Sequence, residues 1–347
     1  MRKLLVLLSV LSLLLSSAQA LTLPYAEDTV LSVLSLTDAQ RSLADFLYTP
    51  VFNGQERIEL PKGTRYADVS AAMTTLMQDY PELFHLDRNY SVGYYTNAPE
   101  TATYVEPTYR MSAAEAAEIR AVLYAQAYLF ADRHRSAEAL HDALLERVTY
   151  GGATELRHTA VGTLLEGEAT CEGYAQGLTL LYRMAGIPCG VVTGTAVDSS
   201  GRREAHSWNI ANLNGCTLID ATWNDQGSLG LNTHWYFGLS TQQMGTDHFP
   251  DADQRIPACG DQANWHRVRG YVISTAAEAE AAMRRLINAG QVNLRITSTT
   301  LYHTLARDTY SFLDGYNRQH PQDGFYGAYR IITSDAQQCV ILQRTSE

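Results

Sequence analysis

Two stretches of the chain carry most of the information on its architecture: CEGYAQGLTLLYRMAGIPC at residues 171–189 and AHSWNIANLNGCTLIDATWND at residues 205–225. In the first stretch, apolar residues recur at helical spacing: Ala175, Leu178, Leu181 and Ala185. The second stretch reads as two strands, 206–211 and 217–222, joined by turn-forming residues. The two patterns predict a helix that begins at Cys171 and packs on an antiparallel β-sheet, which is an α+β arrangement.

The first 20 residues have the pattern of an export signal. They combine a basic start at Arg2 and Lys3, an apolar run over 4–15, and a small-x-small end over 18–20. The apolar run is shorter than the roughly 20 residues that a membrane span needs. We therefore expect residues 1–20 to be a signal peptide, and the mature protein to be secreted and not stably inserted in a membrane. A buried N-terminal helix is the alternative.

The rest of the chain is long enough for two or three domains. Residues 21–110 mix a helical pattern with extended aromatic runs, so we expect an N-terminal α+β region. Residues 111–257 begin with a capping-box pattern and two helical segments, and they contain both stretches quoted above. Residues 258–347 combine extended and helical patterns again and predict a small C-terminal α/β unit.

Charge and cysteine content narrow the possible functions. The net charge of −11 and the sequence pI near 5.4 argue against binding to nucleic acid, whose phosphates require basic patches. The chain has five cysteines, so at least one thiol stays outside any intramolecular disulfide. That thiol is a candidate for chemistry.

Cys171 is the strongest candidate nucleophile, because it lies at the predicted start of a helix. A cysteine reacts as the thiolate, which a helix N-terminus and a neighbouring imidazolium both stabilise. A half-buried structural cysteine or a disulfide partner is the alternative for this position.

His206 and Asp220 are the candidate partners of the thiol, provided that both face the same side of the sheet. A two-residue turn at Asn214-Gly215 would pair residues whose numbers sum to 429, and it would put the histidine and the aspartate on opposite faces. A three-residue loop, 213–215, makes the sum 428 and puts both on one face. We predict the three-residue loop or an equivalent bulge.

Three motifs in order resemble the core of bacterial transglutaminase-like domains, which are related to papain. They are a cysteine followed by an acidic residue, Gly and Tyr at 171–174, then His-Ser-Trp-Asn at 206–209, then Asp-Ala-Thr-Trp-Asn-Asp at 220–225. The resemblance covers about residues 136–250. It implies a papain-like, transglutaminase-like core, acyl transfer through a thioester, and no cofactor. It also implies Cys171 as nucleophile, His206 as base and Asp220 as the residue that orients the histidine.

Several further residues have two readings each. Trp208, Trp223 and Tyr174 flank the expected site and either contact substrate or pack in the core. The oxyanion hole should include the Cys171 backbone N–H, with Tyr150 as a possible side-chain donor. His234, His248 and Cys259 have no short ligand spacing, so we expect no metal site. The other four cysteines either form two disulfides in one of three connectivities or stay free and buried: Cys189, Cys216, Cys259 and Cys339.

The function that this pattern favours is hydrolysis of an amide bond in a peptide, protein or peptidoglycan-peptide substrate. Transamidation uses the same three residues with an amine in place of water. A binding or cell-wall-associated module that keeps the fold without catalysis is the alternative of a different class.

Overall fold

The computed structural model describes residues 23–227, 231–286, 291–322, 324, 326 and 328–345. The predicted signal peptide, residues 1–20, lies outside the described residues. Within the described part of the chain, no helix combines the length and apolarity needed to cross a bilayer.

The N-terminal region is an antiparallel sheet covered by two helices. Its elements are α1 (Asp38–Phe52), β1 (Ile58–Glu59), α2 (Tyr66–Asp79), β2 (Leu86–Tyr95) and β3 (Ala98–Tyr109). The strands lie in the order β1-β3-β2. Helix α1 begins with a capping box in which Thr37 and Gln40 exchange side-chain and backbone hydrogen bonds. Buried Leu47, Met73 and Val105 join the helices to the sheet in one core.

The central region begins with helices and then forms a five-stranded antiparallel sheet. Its helices are α3 (Ala113–Arg133), α4 (Ala137–Leu145), α5 (Cys171–Met184), α6 (Ala221–Asn224) and α7 (Thr241–Met244). Its strands are β4 (Thr149–Tyr150), β5 (Glu168–Ala169), β6 (Cys189–Val197), β7 (Arg203–Asn212), β8 (Cys216–Ile219), β9 (Asp225–Gln226), β10 (Leu231–Asn232), β11 (Phe237–Leu239) and β12 (His248–Pro250). The sheet order is β11-β8-β7-β6-β12. Helix α5 begins at Cys171, as predicted from the sequence.

The β7–β8 hairpin confirms the predicted loop. Asn212 pairs with Cys216 and Asn209 with Ile219, so the numbers of paired residues sum to 428. Asn214 and Gly215 both have positive φ, 58° and 135°, which allows the three-residue turn. The second strand is shorter than predicted, because Asp220 leaves it to cap helix α6: its Oδ1 accepts the backbone N–H of Trp223 at 3.1 Å.

The sheet is packed on both faces. On one face, the Asn209 side chain donates to the Ala175 carbonyl and to Thr179 of helix α5, at 2.9 Å each. On the other face, Trp208 belongs to a buried cluster that also holds Ile341 of the C-terminal unit. The strand that carries His206 is thereby fixed between the nucleophile helix and the C-terminal unit.

The C-terminal unit has a mixed four-stranded sheet in the order β13-β14-β16-β15, in which only β13 and β14 are parallel. Its helices are α8 (Trp265–Arg269), α9 (Ala276–Leu286), α10 (Thr299–Arg307) and α11 (Thr309–Gln319). Its strands are β13 (Val272–Ile273), β14 (Gln291–Ile296), β15 (Tyr329–Ser334) and β16 (Cys339–Arg344).

One disulfide joins the central sheet to the segment that leads into the C-terminal unit. Cys216, the first residue of β8, is bonded to Cys259, 43 residues further on. Cys171, Cys189 and Cys339 are free thiols, and the last two are buried. The outcome lies between the two alternatives, with one disulfide and two free, buried thiols: Cys189, at the start of β6, contacts Thr179 and Asn209, while Cys339 lies in the C-terminal sheet.

Candidate active site

Cys171 lies at the first position of helix α5, half-buried. The preceding residue, Thr170, does not cap the helix with its side chain. Its hydroxyl oxygen instead lies 2.9 Å from Nδ1 of His158. The first N–H groups of a helix have no acceptor within the helix, and here the Thr170 side chain does not supply one.

Gly173 allows a loop to approach the start of this helix closely. A Cβ atom at this position would lie 2.3 Å from the carbonyl oxygen of Arg157. The glycine therefore allows close packing of the loop on the helix start. Gly167, with φ of 76°, makes the tight turn that leads into the helix.

His206 and Asp220 lie on the same face of the sheet and contact each other. His206 Nε2 is 2.8 Å from Asp220 Oδ2, and both side chains are buried. Burial alone would lower the pKa of His206, but the charge and hydrogen bond of Asp220 outweigh it and raise the pKa to about 10. In return, the histidine holds the pKa of Asp220 well below its usual range, against the effect of burial.

Cys171 completes the group, because its side chain is near enough to His206 to contribute to the raised pKa of the imidazole. Since Nε2 of His206 is directed at Asp220, Nδ1 is the ring nitrogen left for the thiol. The structure thus brings together all three residues that the sequence singles out.

The aromatic candidates divide by burial. Trp208 is only 1% exposed and stacks beside His206 at 6.2 Å between ring centroids. Tyr174 is fully buried, and its hydroxyl donates to Asp225. Both side chains pack in the core, which favours the packing alternative over substrate contact. Trp223 is partly exposed and lies 5.4 Å from the His206 ring, so it keeps both readings.

Tyr150 lies at the mouth of the site with 58% of its surface exposed. Its pKa is raised, first by partial burial and then by the negative charges of Cys171, Glu204 and Asp220. The charge of Cys171 reaches this hydroxyl, so Tyr150 stays the side-chain candidate for the oxyanion hole.

The N-terminal region also reaches the start of helix α5. Arg88, on β2, forms an ion pair with Glu172, the residue after the candidate nucleophile. Glu172 also lies 3.7 Å from Nδ1 of His158. The same residues border a small cavity between the N-terminal region and the helix.

Two groups of described residues bring three metal-ligating side chains together: His141, Asp142 and His234, and also His206, Asp220 and His248. In each group, hydrogen bonds account for the arrangement. One oxygen of Asp142 faces both His141 and His234, at 2.9 and 2.7 Å. The amide of Asn224 donates to the other ring nitrogen of His141, since its carbonyl oxygen already accepts the N–H of Tyr236. His141 therefore carries its proton on the nitrogen that faces Asp142, which leaves that nitrogen without a lone pair for a metal.

Sequence reasoning missed the contacts of His248. This histidine is directed at Asp220 through one ring nitrogen and at Asp247 through the other. It lies 28 residues beyond Asp220, and only the pairing of β12 with β6 brings it to the site. No local spacing in the sequence signals such a contact.

The site and sheet define the class of a transglutaminase-like, papain-related α+β fold, with a cysteine at a helix start, a histidine on a strand and an aspartate directly after the neighbouring strand. Residues 127–222 match the sequence profile of the transglutaminase-like superfamily. This segment contains Cys171, His206 and Asp220, so the chain carries a transglutaminase-like domain.

Solved structures give two further comparisons. The periplasmic domain of TgpA from Pseudomonas aeruginosa is 20% identical, and the likeness covers 37% of this chain and 59% of that chain with a TM-score of 0.24. A candidate cysteine protease from Cytophaga hutchinsonii is 16% identical, with coverage of 39% and 61% and a TM-score of 0.24. The chain thus spans less than two thirds of either structure. No curated protein matches the chain.

Proposed function

We propose that the chain is a secreted, cysteine-dependent acyl-transfer enzyme that hydrolyses amide bonds through a triad of Cys171, His206 and Asp220. One observation carries the proposal: His206 bridges the thiol at the helix start and the Asp220 carboxylate, with Nε2 2.8 Å from Oδ2. This is the geometry in which a carboxylate fixes the imidazole and the imidazole activates a nucleophile.

The first half-reaction begins with the Cys171 thiolate paired with the His206 imidazolium. The sulfur attacks the carbonyl carbon of the amide, and the carbonyl electron pair moves onto oxygen. As the tetrahedral intermediate collapses, the C–N bond breaks and the His206 proton passes to the leaving amine. The acyl group stays on sulfur as a thioester, and His206 becomes neutral.

The second half-reaction reverses these roles. Neutral His206 takes a proton from water, which attacks the thioester carbonyl. The carboxylic acid leaves, and the thiolate and the imidazolium return. An amine in place of water would give transamidation with the same residues. We favour water because resemblance to exported bacterial members and the predicted signal peptide at 1–20 both suit degradation of peptides or cell-wall peptides.

The developing negative charge on oxygen is best stabilised by the N–H of Cys171. This N–H belongs to the first turn of a 14-residue helix, whose dipole favours an anion there. Because Thr170 directs its hydroxyl to His158 rather than to the helix, the turn keeps its donors for a ligand. Tyr150 would supply a second donor from the exposed side of the site.

A groove of about 500 Å³ is bordered by Trp223, the neighbour of His206, and has the size to hold part of a peptide. Trp223 and Gln226 lie on one side of the groove, and the β15–β16 turn of the C-terminal unit lies on the other. The Trp223 ring also lies 5.4 Å from the His206 ring, so this one side chain links the groove to the triad. This supports Trp223 as a substrate contact.

The decisive experiment compares alkylation of Cys171 by iodoacetamide between the native chain and His206→Ala, with the labelled site identified by mass spectrometry. At about pH 6 an ordinary thiol is almost entirely protonated. We expect the native chain to react there at least tenfold faster than His206→Ala, followed by trapping of a thioester from active peptide esters. The buried thiols Cys189 and Cys339 are internal controls and should remain unlabelled in both chains.

Equal rates in the two chains would overturn the triad. Tight binding of peptide without a thioester would favour the module that keeps the fold without catalysis.

A further inference from the structure

A second histidine shares the Asp220 carboxylate with His206. Nε2 of His248 lies 3.0 Å from Asp220 Oδ2, the oxygen that His206 Nε2 contacts at 2.8 Å. All three side chains are buried. The second histidine reaches the carboxylate because β12 pairs with β6, which itself pairs with the strand that carries His206.

Hydrogen bonds at both ring nitrogens favour the positively charged form of His248. Its Nδ1 lies 2.6 Å from Asp247 Oδ1, and the other oxygen of Asp247 accepts the hydroxyl of Tyr236 at 2.7 Å. An ionised carboxylate only accepts hydrogen bonds, so each ring nitrogen must donate one. Burial by itself lowers the pKa of His248, but the hydrogen bonds to Asp220 and Asp247 raise it above its ordinary value.

Asp220 is held at three points. Its Oδ2 accepts from the two imidazoles, and its Oδ1 accepts the N–H of Trp223 at 3.1 Å. Rotation of the carboxylate would break all three hydrogen bonds. The Asp220 carboxylate therefore interacts with two imidazoles, whereas in a simple catalytic triad it interacts with one.

We propose that His248 is a positioning residue of the catalytic centre: its imidazolium aligns the Asp220 carboxylate with His206 and reduces the proton affinity that Asp220 confers on His206. The inference rests on the proposed function, because His248 acts through Asp220 and not through contact with substrate. It would help His206 to release its proton to the leaving amine in the first half-reaction.

The titratable groups that face His248 come from four elements or their flanks. They are Asp220 after β8, Asp247 before β12, His206 on β7 and Tyr236 before β11. Two indole rings complete the enclosure: Trp208 at 5.0 Å and Trp223 at 4.6 Å between ring centroids. Of these groups, His206 is the other cation, so its titration is the one that should respond when the charge of His248 is removed.

The test replaces His248 by glutamine, whose amide can still donate to Asp220 but carries no charge. The ring centroids of His206 and His248 are 5.4 Å apart. At an effective dielectric constant of about 20, loss of a like charge at this distance raises the midpoint of His206 titration by ~2 pH units. The midpoint is measured by NMR of histidine-labelled protein, and it does not depend on any substrate.

Two further variants separate positioning from folding. His248→Phe removes both charge and donor, so alkylation of Cys171 should slow at least tenfold, while His248→Gln should retain most of the rate. His141→Gln is the matched control, because His141 also is buried and shares a carboxylate oxygen with a second histidine. It should leave the His206 midpoint unchanged.

An unchanged His206 midpoint in folded His248→Gln would overturn the proposal, as would the same shift in His141→Gln. If Cys171 alkylation is activated in the native chain but the His206 midpoint does not move in His248→Gln, the proposed role of His248 is wrong and the triad stands. If alkylation is not activated in the native chain, the triad fails, and the NMR titration still decides whether His248 governs His206.

Discussion

The stability of the protein should fall as the pH rises from neutrality toward 10, and His206 should contribute much of the change. Its pKa in the folded protein is raised to about 10, whereas a histidine in an unfolded chain titrates near 6.5. A group that holds its proton more tightly when folded stabilises the folded state fully below its unfolded pKa. That contribution disappears as the pH rises through the folded pKa.

The expected size follows from the same two values. Over the window from 6.5 to about 10, the free energy of unfolding should fall by about 1.4 kcal/mol per pH unit, and by ~5 kcal/mol in all. Asp220 does not oppose this trend, because its pKa is held well below the usual range and it stays ionised throughout the window. His206 therefore contributes a negative slope across this window, and His248, whose pKa is also raised, adds to it.

The assay is urea unfolding followed by tryptophan fluorescence at about pH 6.5, 7.5, 8.5 and 9.5. Trp208 and Trp223 lie against His206 and report on this part of the fold. His206→Gln should flatten the dependence on pH, while His303→Gln, on an exposed position of helix α10, should not. A native chain with no loss of stability across the window, or a His206→Gln chain with the native slope, would refute the reasoning.

Two other predictions concern the framework of the site. The double substitution Cys216→Ser and Cys259→Ser removes the disulfide, which closes a loop with a sequence separation of 43 residues. The free energy of unfolding, measured by thermal unfolding without reductant, should fall by about 4 kcal/mol; a fall under about 1 kcal/mol would contradict this. Gly173→Ala places a Cβ 2.3 Å from the Arg157 carbonyl oxygen and should cost ~1–3 kcal/mol and slow alkylation of Cys171. Gly315→Ala, in open space on helix α11, should instead gain up to ~1 kcal/mol, and equal effects of the two substitutions would disprove the packing argument.

The pairing of His206 with Asp220 was predictable because it depends on local rules. Side chains alternate along a strand, and the length of the loop sets the register, so a three-residue turn is enough to place both on one face. The start of helix α5 was predictable for a similar reason, since apolar spacing and turn glycines are local signals. The position of Asp220 as a helix cap was missed, because the short helix α6 continues a strand-like sequence.

Helix α1 was also missed, although Thr37 and Gln40 form a capping box that the sequence displays. The contact of His248 with Asp220, by contrast, could not be predicted from local sequence signals. It depends on strand β12 returning to the far edge of the sheet, and such long-range pairing leaves no pattern within a short window. Burial of Trp208 and Tyr174 likewise depends on packing between distant segments.

The outer side of strand β6 is already occupied along its length. Val30 bridges to Cys189, and the N–H of Leu31 donates to the Cys189 carbonyl at 3.2 Å. A Cβ at Gly190 would lie 1.8 Å from the Leu31 carbonyl oxygen, and further along the strand β12 takes over the pairing. A peptide therefore cannot extend the sheet there by strand addition, the mode in which main-chain hydrogen bonds supply affinity. Main-chain recognition of a substrate must therefore use another element, so inhibitors for this site need no extended peptide backbone along that side of β6.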